Sequence, residues 1–241
     1  GRGIGRAIAE RMAKVMPVVV VGQTKSDLVS LCEQVKNAGG RATYCVGDVS
    51  DITTARRVLD GMTAKNLVVA NLVCNAGIAK GGPAHDFSLD MWKRMFEVNV
   101  NGSFFFIKTF LPTMMERHKG NICLISSIAG LKGYKYQTAY CASKHALVGM
   151  AESLALEYAK YNIQVVPICP SFVYTEMTDR TVSGLMRHRG ITKKEALAIV
   201  ANKNPQKRIL PASEVADMVA FVCEGKVPSL NGSPIRLTGG E

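Results

Sequence analysis

Short runs rich in valine and isoleucine alternate along the chain with longer stretches in which apolar residues recur every three or four positions. The short runs are typical of buried strands, and the longer stretches have the period of amphipathic helices. Strands are predicted near residues 18–22, 43–47, 67–74, 121–126, 163–169 and 234–237. Helices are predicted near 3–14, 26–38, 52–63, 88–117, 137–160 and 213–224, with a mobile helical segment around 178–202.

This alternation predicts an α/β fold, in which helices pack on both faces of a parallel sheet. The sequence has no internal repeat and no linker, so a single doubly wound domain over residues 1–241 is predicted. The chain opens on a Gly-Arg-Gly-Ile-Gly run with no strand before it. A strand there would lie in the middle of the sheet, so we expect the first strand to be absent and the sequence to lack native N-terminal residues.

The composition is that of an ordinary globular protein, with 47% hydrophobic and 20% charged residues. No apolar run approaches the roughly 18 residues that a membrane span needs, so no membrane association is predicted. The seven cysteines form no Cys-x-x-Cys pair. They are predicted to be free thiols in a reducing compartment, the cytoplasm, rather than disulfides or metal ligands. An organellar targeting segment would lie before the sequence given.

The net charge is strongly positive, with 30 basic against 19 acidic residues and a formal charge of +11. Such a charge favours anionic partners, among them phosphorylated cofactors, acyl carriers and nucleic acid. No helix-turn-helix, zinc-finger or RNP-type motif accompanies the charge, so nucleic acid is not the predicted partner. The segment from Thr175 to Leu210 alone holds eight basic and three acidic residues.

The glycine-rich opening has the pattern of a phosphate-binding turn before a helix. Gly3 would let the backbone approach a pyrophosphate, and Gly5 would permit close packing of the helix on a strand. The helix N-terminus, beginning around Ile4, would supply amide donors and the positive end of the helix dipole. Glycine turns before helices are common, so this motif alone is weak evidence.

Two further polar clusters follow predicted strands, Asp48-Val49 after the second and Asn75-Ala76-Gly77 after the third. Open α/β sheets bind ligands at the carboxyl ends of their strands. Asn, Asp and Gly also favour simple turns, so either cluster alone is equally consistent with a loop that has no ligand.

Tyr140 and Lys144 are separated by four positions at the start of a predicted helix, so both project from the same face. Ser127 lies at the end of the strand before it. A free tyrosine titrates near pH 10, and a neighbouring ammonium is expected to lower that pKa. The spacing therefore predicts an acid–base pair, although a Tyr-x-x-x-Lys by itself is more often a solvated helix pair.

Taken together, these motifs resemble the short-chain dehydrogenase/reductase family over essentially the whole chain. Gly3 and Gly5 match the last two glycines of its Thr-Gly-x-x-x-Gly-x-Gly turn, and residues 75–77 match its Asn-Ala-Gly turn. The catalytic residues that the resemblance implies are Ser127, Tyr140, Lys144 and Asn99. A Pro-x-x-Val-x-Thr segment beginning at Pro170 matches the family's segment beside the nicotinamide, with Ser171 in place of the usual glycine.

The resemblance implies a role for each catalytic residue. Tyr140 would exchange a proton with the substrate oxygen, and Ser127 would stabilise charge on that oxygen. Lys144 would hold the nicotinamide ribose and lower the pKa of Tyr140. Asn99 would position a water that links Lys144 to solvent.

The implied cofactor is NADP, with NAD as the alternative. Gly22 stands where NAD-dependent members commonly carry an acid, and Arg2 and Lys25 are candidate partners of a 2′-phosphate, although both could equally be solvent-facing bases. The implied cofactor-binding residues are Arg2, Gly3, Ile4, Gly5, Gly22, Gln23, Lys25, Asp48, Val49, Asn75, Ala76, Gly77, Tyr140, Lys144, Pro170, Val173 and Thr175.

The sequence resembles the members that reduce 3-oxoacyl thioesters or oxidise 3-hydroxyacyl compounds. Residues 176–210 would form a lid over the substrate, and their net charge of +5 suits an acyl group carried on coenzyme A or an acyl carrier protein. A solvated flap would carry the same charges. Polyketides, steroids or small ketones remain alternative substrates, a non-catalytic cofactor-binding regulator is a further alternative, and a homo-dimer or homo-tetramer is expected.

Overall fold

The computed structural model describes residues 2–241. Its strands are β1 (Val18–Gly22), β2 (Ala42–Val46), β3 (Asn71–Cys74), β4 (Gly120–Ile125), β5 (Ile163–Pro170) and β6 (Ile235–Leu237). Its α-helices are α1 (Gly3–Met12), α2 (Lys25–Asn37), α3 (Ile52–Thr63), α4 (Leu89–Phe96), α5 (Gly102–Glu116), α6 (Thr138–Tyr158), α7 (Glu176–Arg189), α8 (Lys193–Ala201) and α9 (Ala212–Cys223). A π-helical turn, Glu97–Asn101, joins α4 to α5.

Every strand pair in the described residues is parallel, which confirms the predicted α/β fold. β1 pairs with β2, and the other strands pair in the order β3-β4-β5-β6. β1 and β3 each keep one unpaired edge, and a cavity of about 560 Å³ is lined by residues of both strands and of α1 and α5.

The strands in the middle of the larger sheet are buried because both of their faces are covered by helices. All eight residues of β5 are buried. On β4, Ile122 and Leu124 pack with α5 and α6, whereas Cys123 and Ile125 pack with α1 and α9. Consecutive strand residues point to opposite faces, so one apolar run supplies two hydrophobic cores.

Three predicted elements differ from the structure. The helix predicted near 88–117 is divided by the π-helical turn Glu97–Asn101 into α4 and α5. β3 begins at Asn71 instead of residue 67, because Leu67 and Val68 are exposed and do not join the sheet. The mobile helical segment predicted around 178–202 consists of two separate helices, α7 and α8. Gly190, with φ of 65°, ends α7, and a Thr192–Glu195 capping box begins α8.

All seven cysteines are free thiols, as the sequence predicts, and five of them are buried. Of the helices in residues 2–241, none combines the length and the apolar character that crossing a membrane requires. Within the same residues, no three His, Cys, Asp or Glu side chains converge as a metal site would need.

Candidate active site

Close contacts join the glycine turn before α1 to two other predicted site residues. A Cβ added to Gly5 would lie 2.6 Å from Asn75 Nδ2, and one added to Gly3 would lie 3.1 Å from Thr175 Cγ2. Gly3 also has φ of 53°, which disfavours residues with a side chain. The structure therefore brings Asn75 and Thr175 against a turn whose glycines leave little room for a side chain.

The N-terminus of α1 fits an anionic group. In the described part of the turn, no side chain caps the helix, and its first turn carries no acid. The first amides, from Gly3 through Ile4 and Gly5, are thus available as donors at the positive end of the helix dipole. Such a donor set would suit the pyrophosphate of a dinucleotide, and the binding role of these residues stays a prediction.

Beyond β1, the residues predicted to select the cofactor lie at the surface. Gly22 leaves space beside Leu28, because an added Cβ would lie 3.5 Å from Leu28 Cδ2. Gln23 and Lys25 are exposed at the start of α2. The preference for NADP stays a prediction, because it depends on the residue type at position 22, which the sequence already gives.

Arg2 is held by two carboxylates. Its Nε lies 3.0 Å from Asp27 Oδ2, and its Nη1 lies 2.7 Å from Glu176 Oε2. Glu176 begins α7, so Arg2 connects the glycine turn to the predicted lid. A cofactor phosphate would compete with both acids for Arg2, a competition that the sequence does not reveal.

Asp48 lies at the carboxyl end of β2 and is engaged by protein groups. It accepts hydrogen bonds from Ser50 N at 2.9 Å and Ser50 Oγ at 2.7 Å, and it pairs with Arg94 of α4. Burial raises its pKa, but the hydrogen bonds from Ser50 and Arg94 outweigh that effect, so its pKa lies below the ordinary value. The neighbouring Val49 packs against Gly102 at the start of α5.

Ser127 and Tyr140 meet as the sequence predicts. Ser127 caps the short 3-10 turn after β4, where its Oγ accepts from Ala129 N at 3.1 Å. Its hydroxyl also lies near Tyr140, whose pKa it lowers, and 3.5 Å from Pro170 O. One hydroxyl thus contacts the end of β5 and the first turn of α6.

The expected lowering of the Tyr140 pKa is wrong for this structure. Burial raises the pKa of Tyr140 above its ordinary value, and the hydrogen bond from Ser127 opposes this only in part. Lys144 Nζ lies 5.8 Å from the centre of the tyrosine ring and donates to Ile125 O at 2.8 Å. The ammonium is therefore directed at a backbone carbonyl rather than at the phenol oxygen.

Lys144 is a buried base with 4% of its surface exposed. Burial lowers its pKa to about 8, although Cys169 opposes the shift. Its Nζ would lie 3.4 Å from a Cβ on Gly77, which also approaches Asn99 Oδ1. A side chain at position 77 would therefore crowd Asn99 and Lys144 where they meet the Asn75–Gly77 turn. Ala76 of that turn is exposed.

Asn99 is fully buried in the π-helical turn. Its Oδ1 accepts from Ile78 N at 2.8 Å, while its Nδ2 donates to Ile78 O at 3.0 Å and to Ser143 Oγ at 2.9 Å. These bonds fix the loop after β3 against α6. The predicted water between Lys144 and solvent stays a prediction, because the Asn99 side chain is committed to protein partners.

The sequence interpretation missed two residues that bond to predicted site residues. Ser143 bonds to Asn99, and Arg94 bonds to Asp48. Ser143 lies inside the Tyr140–Lys144 motif, so its nearness was available from the spacing. Arg94 is 46 positions from Asp48, and nothing in the local sequence signals their pairing.

The segment after β5 leads into the predicted lid. Val173 is buried and bridges Leu210, so the two ends of the segment 176–210 lie side by side. Thr178 Oγ1 donates to Val173 O at 2.6 Å, which fixes the first turn of α7. Thr175 is the last residue before that helix.

Six of the eight basic residues of the predicted lid fall into two groups, and the other two, Arg180 and Lys207, are exposed. Arg208 pairs with Glu214, and Lys203 lies 4.9 Å from the centre of the Phe172 ring, so both have protein partners. The other group is exposed at the junction of α7 and α8, and we call it the lid cluster. It consists of Arg187, Arg189, Lys193 and Lys194.

Comparison with known proteins matches residues 1–185 to the sequence model of the short chain dehydrogenase family. The D-beta-hydroxybutyrate dehydrogenase of Rhizobium meliloti is 29% identical over 244 residues, covering 99% of this chain and 94% of that protein. A variant of actinorhodin polyketide ketoreductase with NADPH superposes with a TM-score of 0.95 at 29% identity, covering 99% of this chain and 92% of that one. A 3-oxoacyl-[acyl-carrier protein] reductase with bound NAD, from Brucella melitensis, gives 0.85 at 27% identity, covering 99% and 87%.

Proposed function

Because this chain belongs to the short-chain dehydrogenase family, we propose that it is an NAD(P)-dependent oxidoreductase that interconverts a carbonyl and a secondary alcohol. The observation that carries the proposal is the proximity of the Ser127 hydroxyl to Tyr140, close enough to lower the pKa of that phenol, with the buried Lys144 Nζ 5.8 Å from the centre of the tyrosine ring. The family membership implies the roles of these residues, and their placement in the structure is consistent with those roles.

In the proposed reaction, Tyr140 donates its phenolic proton to the carbonyl oxygen of the substrate. Ser127 donates a hydrogen bond to the same oxygen and stabilises the negative charge that develops there. The phenol of Tyr140 is protonated at neutral pH and can donate its proton, but burial raises its pKa further from neutrality and makes it a weaker acid than an unburied tyrosine. Lys144, with a pKa of about 8, can exchange protons near neutral pH and so replace the proton that Tyr140 donates.

The glycine turn, Asn75 and Thr175 would hold the cofactor, and Lys144 would contact its nicotinamide ribose. When bound, the nicotinamide supplies or accepts the hydride at the carbon that bears the reacting oxygen. In the direction of reduction, the carbonyl thus gains a hydride on carbon and the Tyr140 proton on oxygen.

The direct test of this function mixes the protein with NADPH or NADH and a panel of carbonyl compounds while nicotinamide absorbance is recorded. The panel contains a 3-oxoacyl thioester, a polyketide-like diketone, a steroid ketone and a small uncharged ketone. Cofactor binding without turnover on every member would favour the regulatory alternative over an enzyme.

We propose that NADPH is preferred over NADH, and the support is Gly22 together with exposed Lys25 and nearby Arg2. Replacing Gly22 with aspartate should erase or reverse the preference, because a carboxylate there would repel a 2′-phosphate and accept hydrogen bonds from free ribose hydroxyls. One repulsive charge pair of about 1–2 kcal/mol corresponds to a ratio change of about 5- to 30-fold.

Fluorescence titration of both cofactors with wild type and Gly22→Asp measures this ratio. The matched control is Gly61→Asp, since Gly61 lies on α3 with open space around it. An unchanged NADPH to NADH ratio in Gly22→Asp would place cofactor selection elsewhere, with Arg2 and its two acids as the next residues to vary.

The proposed substrate is a 3-oxoacyl thioester on coenzyme A or an acyl carrier protein. The exposed lid cluster gives positive charge for phosphates or acidic side chains. A small pocket of about 140 Å³ includes Phe87, Trp92 and Ala139, the residue before Tyr140, and offers an apolar wall to an acyl chain. Similarity to ketoacyl reductases of polyketide synthases keeps a polyketide as the alternative.

Neutralising the whole lid cluster to glutamine should raise KM for the thioester and weaken the dependence of KM on salt. Each exposed charge contact is worth about 0–1 kcal/mol, so the fourfold variant is expected to change KM by about 10- to 100-fold and single variants much less. KM for a small uncharged ketone should hardly change. Kinetics at low and moderate ionic strength measure both effects.

A matched fourfold variant neutralises exposed lysines outside the lid and controls for net charge. Its positions are Lys14, Lys36, Lys65 and Lys119. If the two fourfold variants change thioester KM equally, or if the small ketone responds as the thioester does, the lid cluster does not bind the carrier.

We also propose a homo-oligomer, because α5 and α6 leave Phe104 and Leu156 exposed, at 44% and 85% of their surface. Apolar side chains of this size favour burial against a second subunit. The cytoplasmic location stays a prediction from the free thiols.

A further inference from the structure

The Glu241 side chain bonds to three other side chains of the protein. Its side chain is only 11% exposed. One carboxylate oxygen accepts from Lys132 Nζ at 2.9 Å and from the Tyr134 hydroxyl, and the other accepts from Ser171 Oγ at 2.7 Å. The buried carboxylate is thus fully hydrogen-bonded, as buried charges need to be.

Two glycines direct Glu241 into this position. Gly239 and Gly240 have φ of 63° and 100°, so the chain turns sharply after β6 through conformations that favour glycine. A Cβ on Gly239 would also lie 2.2 Å from Asn204 Oδ1. Ser171 N donates to Leu237 O at 2.9 Å and holds the start of this turn against the end of β5.

The groups that Glu241 joins belong to the two segments that flank the catalytic pair. Lys132 and Tyr134 lie in the loop 131–137, which connects the turn after Ser127 to helix α6 with Tyr140. Ser171 directly follows Pro170, whose carbonyl oxygen lies 3.5 Å from Ser127 Oγ. Glu241 therefore ties the loop between two catalytic residues to the end of β5.

The far end of the same loop borders the small apolar pocket. Tyr136 O accepts from Gly82 N at 2.9 Å, and Gly82 lines that pocket with Thr138 and Ala139. A displacement of the loop 131–137 would therefore change the shape of the pocket. Ser127 and Tyr140 themselves are anchored by β4 and α6 and would stay in place.

We propose that Glu241 is a positioning residue that holds the loop 131–137 against Ser171 and thereby sets the affinity for the carbonyl substrate. The proposal rests on the proposed function, because it places the substrate beside Ser127 and Tyr140. Glu241 itself contacts neither of these residues. Its loss should weaken substrate binding while the proton-transfer step and cofactor binding stay nearly unchanged.

The charge of Glu241 matters as well as its shape. Burial raises the pKa of this carboxyl, but the hydrogen bonds from Tyr134, Lys132 and Ser171 outweigh burial, so its pKa lies below the ordinary value and it is ionised at neutral pH. Glutamine would keep the volume and one acceptor oxygen but would lose the charge. Alanine would leave the hydroxyls of Tyr134 and Ser171 without their acceptor.

The test compares Glu241→Ala and Glu241→Gln with wild type in steady-state kinetics. Glu241→Ala is expected to raise KM for the carbonyl substrate about tenfold, the effect of losing a charged hydrogen-bond acceptor, and Glu241→Gln less. The kcat and the Kd of NADPH should stay within about twofold of wild type. Combining Glu241→Ala with Tyr134→Phe should raise KM no further, because the two residues act through one contact.

Glu224→Ala is the matched control. Glu224 also pairs with a lysine, at 2.9 Å from Lys226 Nζ, but it follows α9 and is exposed. This variant should leave KM, kcat and the Kd of NADPH as in wild type. The positioning role is overturned if Glu241→Ala leaves KM unchanged. It is also overturned if this variant raises KM, lowers kcat and weakens NADPH binding together.

Hydrogen exchange of the loop 131–137 tests the contact without turnover. Glu241→Ala should speed amide exchange in this loop, whereas Glu224→Ala should not. If wild type reduces no carbonyl yet the loop exchanges faster in Glu241→Ala, the proposed function fails and the positioning contact stands. Unchanged loop exchange would overturn the contact whether or not the protein is an enzyme.

Discussion

Replacing Tyr140 with phenylalanine is expected to lower kcat by about 100- to 10,000-fold, the contribution typical of a general acid. The substitution removes one hydroxyl and leaves the ring, so the Kd of NADPH should change little. The hydrogen bond with Ser127 is lost, but Ser127 keeps its contacts with Ala129 and Pro170. Initial rates and cofactor fluorescence titration measure the two quantities separately.

Tyr44→Phe serves as the control for this experiment, because Tyr44 lies on the edge strand β2 and is 40% exposed. It should keep the kcat of wild type. Comparable activity in Tyr140→Phe and wild type would contradict the assigned role of Tyr140 and leave another group to donate the proton.

Replacing Lys144 with methionine is expected to abolish most turnover, to weaken NADPH binding and to change how stability depends on pH. The first two effects follow from losing the ribose contact and the proton relay. The third follows from burial, because a folded-state pKa of about 8 lies well below the ordinary value of 10.5.

The sign of the pH effect is set by where the proton is bound. Between about pH 8 and 10.5 the unfolded chain keeps the lysine proton and the folded protein loses it, so stability rises with pH. Below pH 8 both states are protonated, and the folded state carries the full cost of a buried ammonium, on the order of 3 kcal/mol. Methionine removes this cost, so the stability of Lys144→Met relative to wild type should be highest below pH 8 and decline as pH rises toward 10.5.

Urea unfolding of the cofactor-free protein at several pH values between 6 and about 10 measures this difference. Lys36→Met is the control, since Lys36 is exposed on α2 and should show no such pH dependence relative to wild type. Parallel stability profiles for wild type and Lys144→Met would mean that Lys144 keeps an ordinary pKa in the folded protein.

Local sequence patterns predicted much of the fold because the responsible interactions are local. All eight residues of β5 are buried and all but Gln164 are apolar, and such a run is typical of a central parallel strand. The predicted helix 52–63 agrees with α3 because Asp51 caps it through Thr53 N, a signal within three residues. The end of α7 was missed because Gly190 lies inside a stretch that is otherwise helical in composition.

The features of the candidate site also fall into two groups, those that depend on local sequence and those that depend on tertiary contacts. Tyr140 and Lys144 share a helix face, and Gly3 takes a conformation that favours glycine, so the sequence by itself determined these features through spacing and backbone sterics. Only the tertiary structure decided the pairing of Asp48 with Arg94 and the contact of Glu241 with Tyr134, which span 46 and 107 positions. It also decided that burial, rather than a nearby ammonium, governs the Tyr140 pKa, because desolvation depends on every element packed around the phenol and no local spacing encodes it.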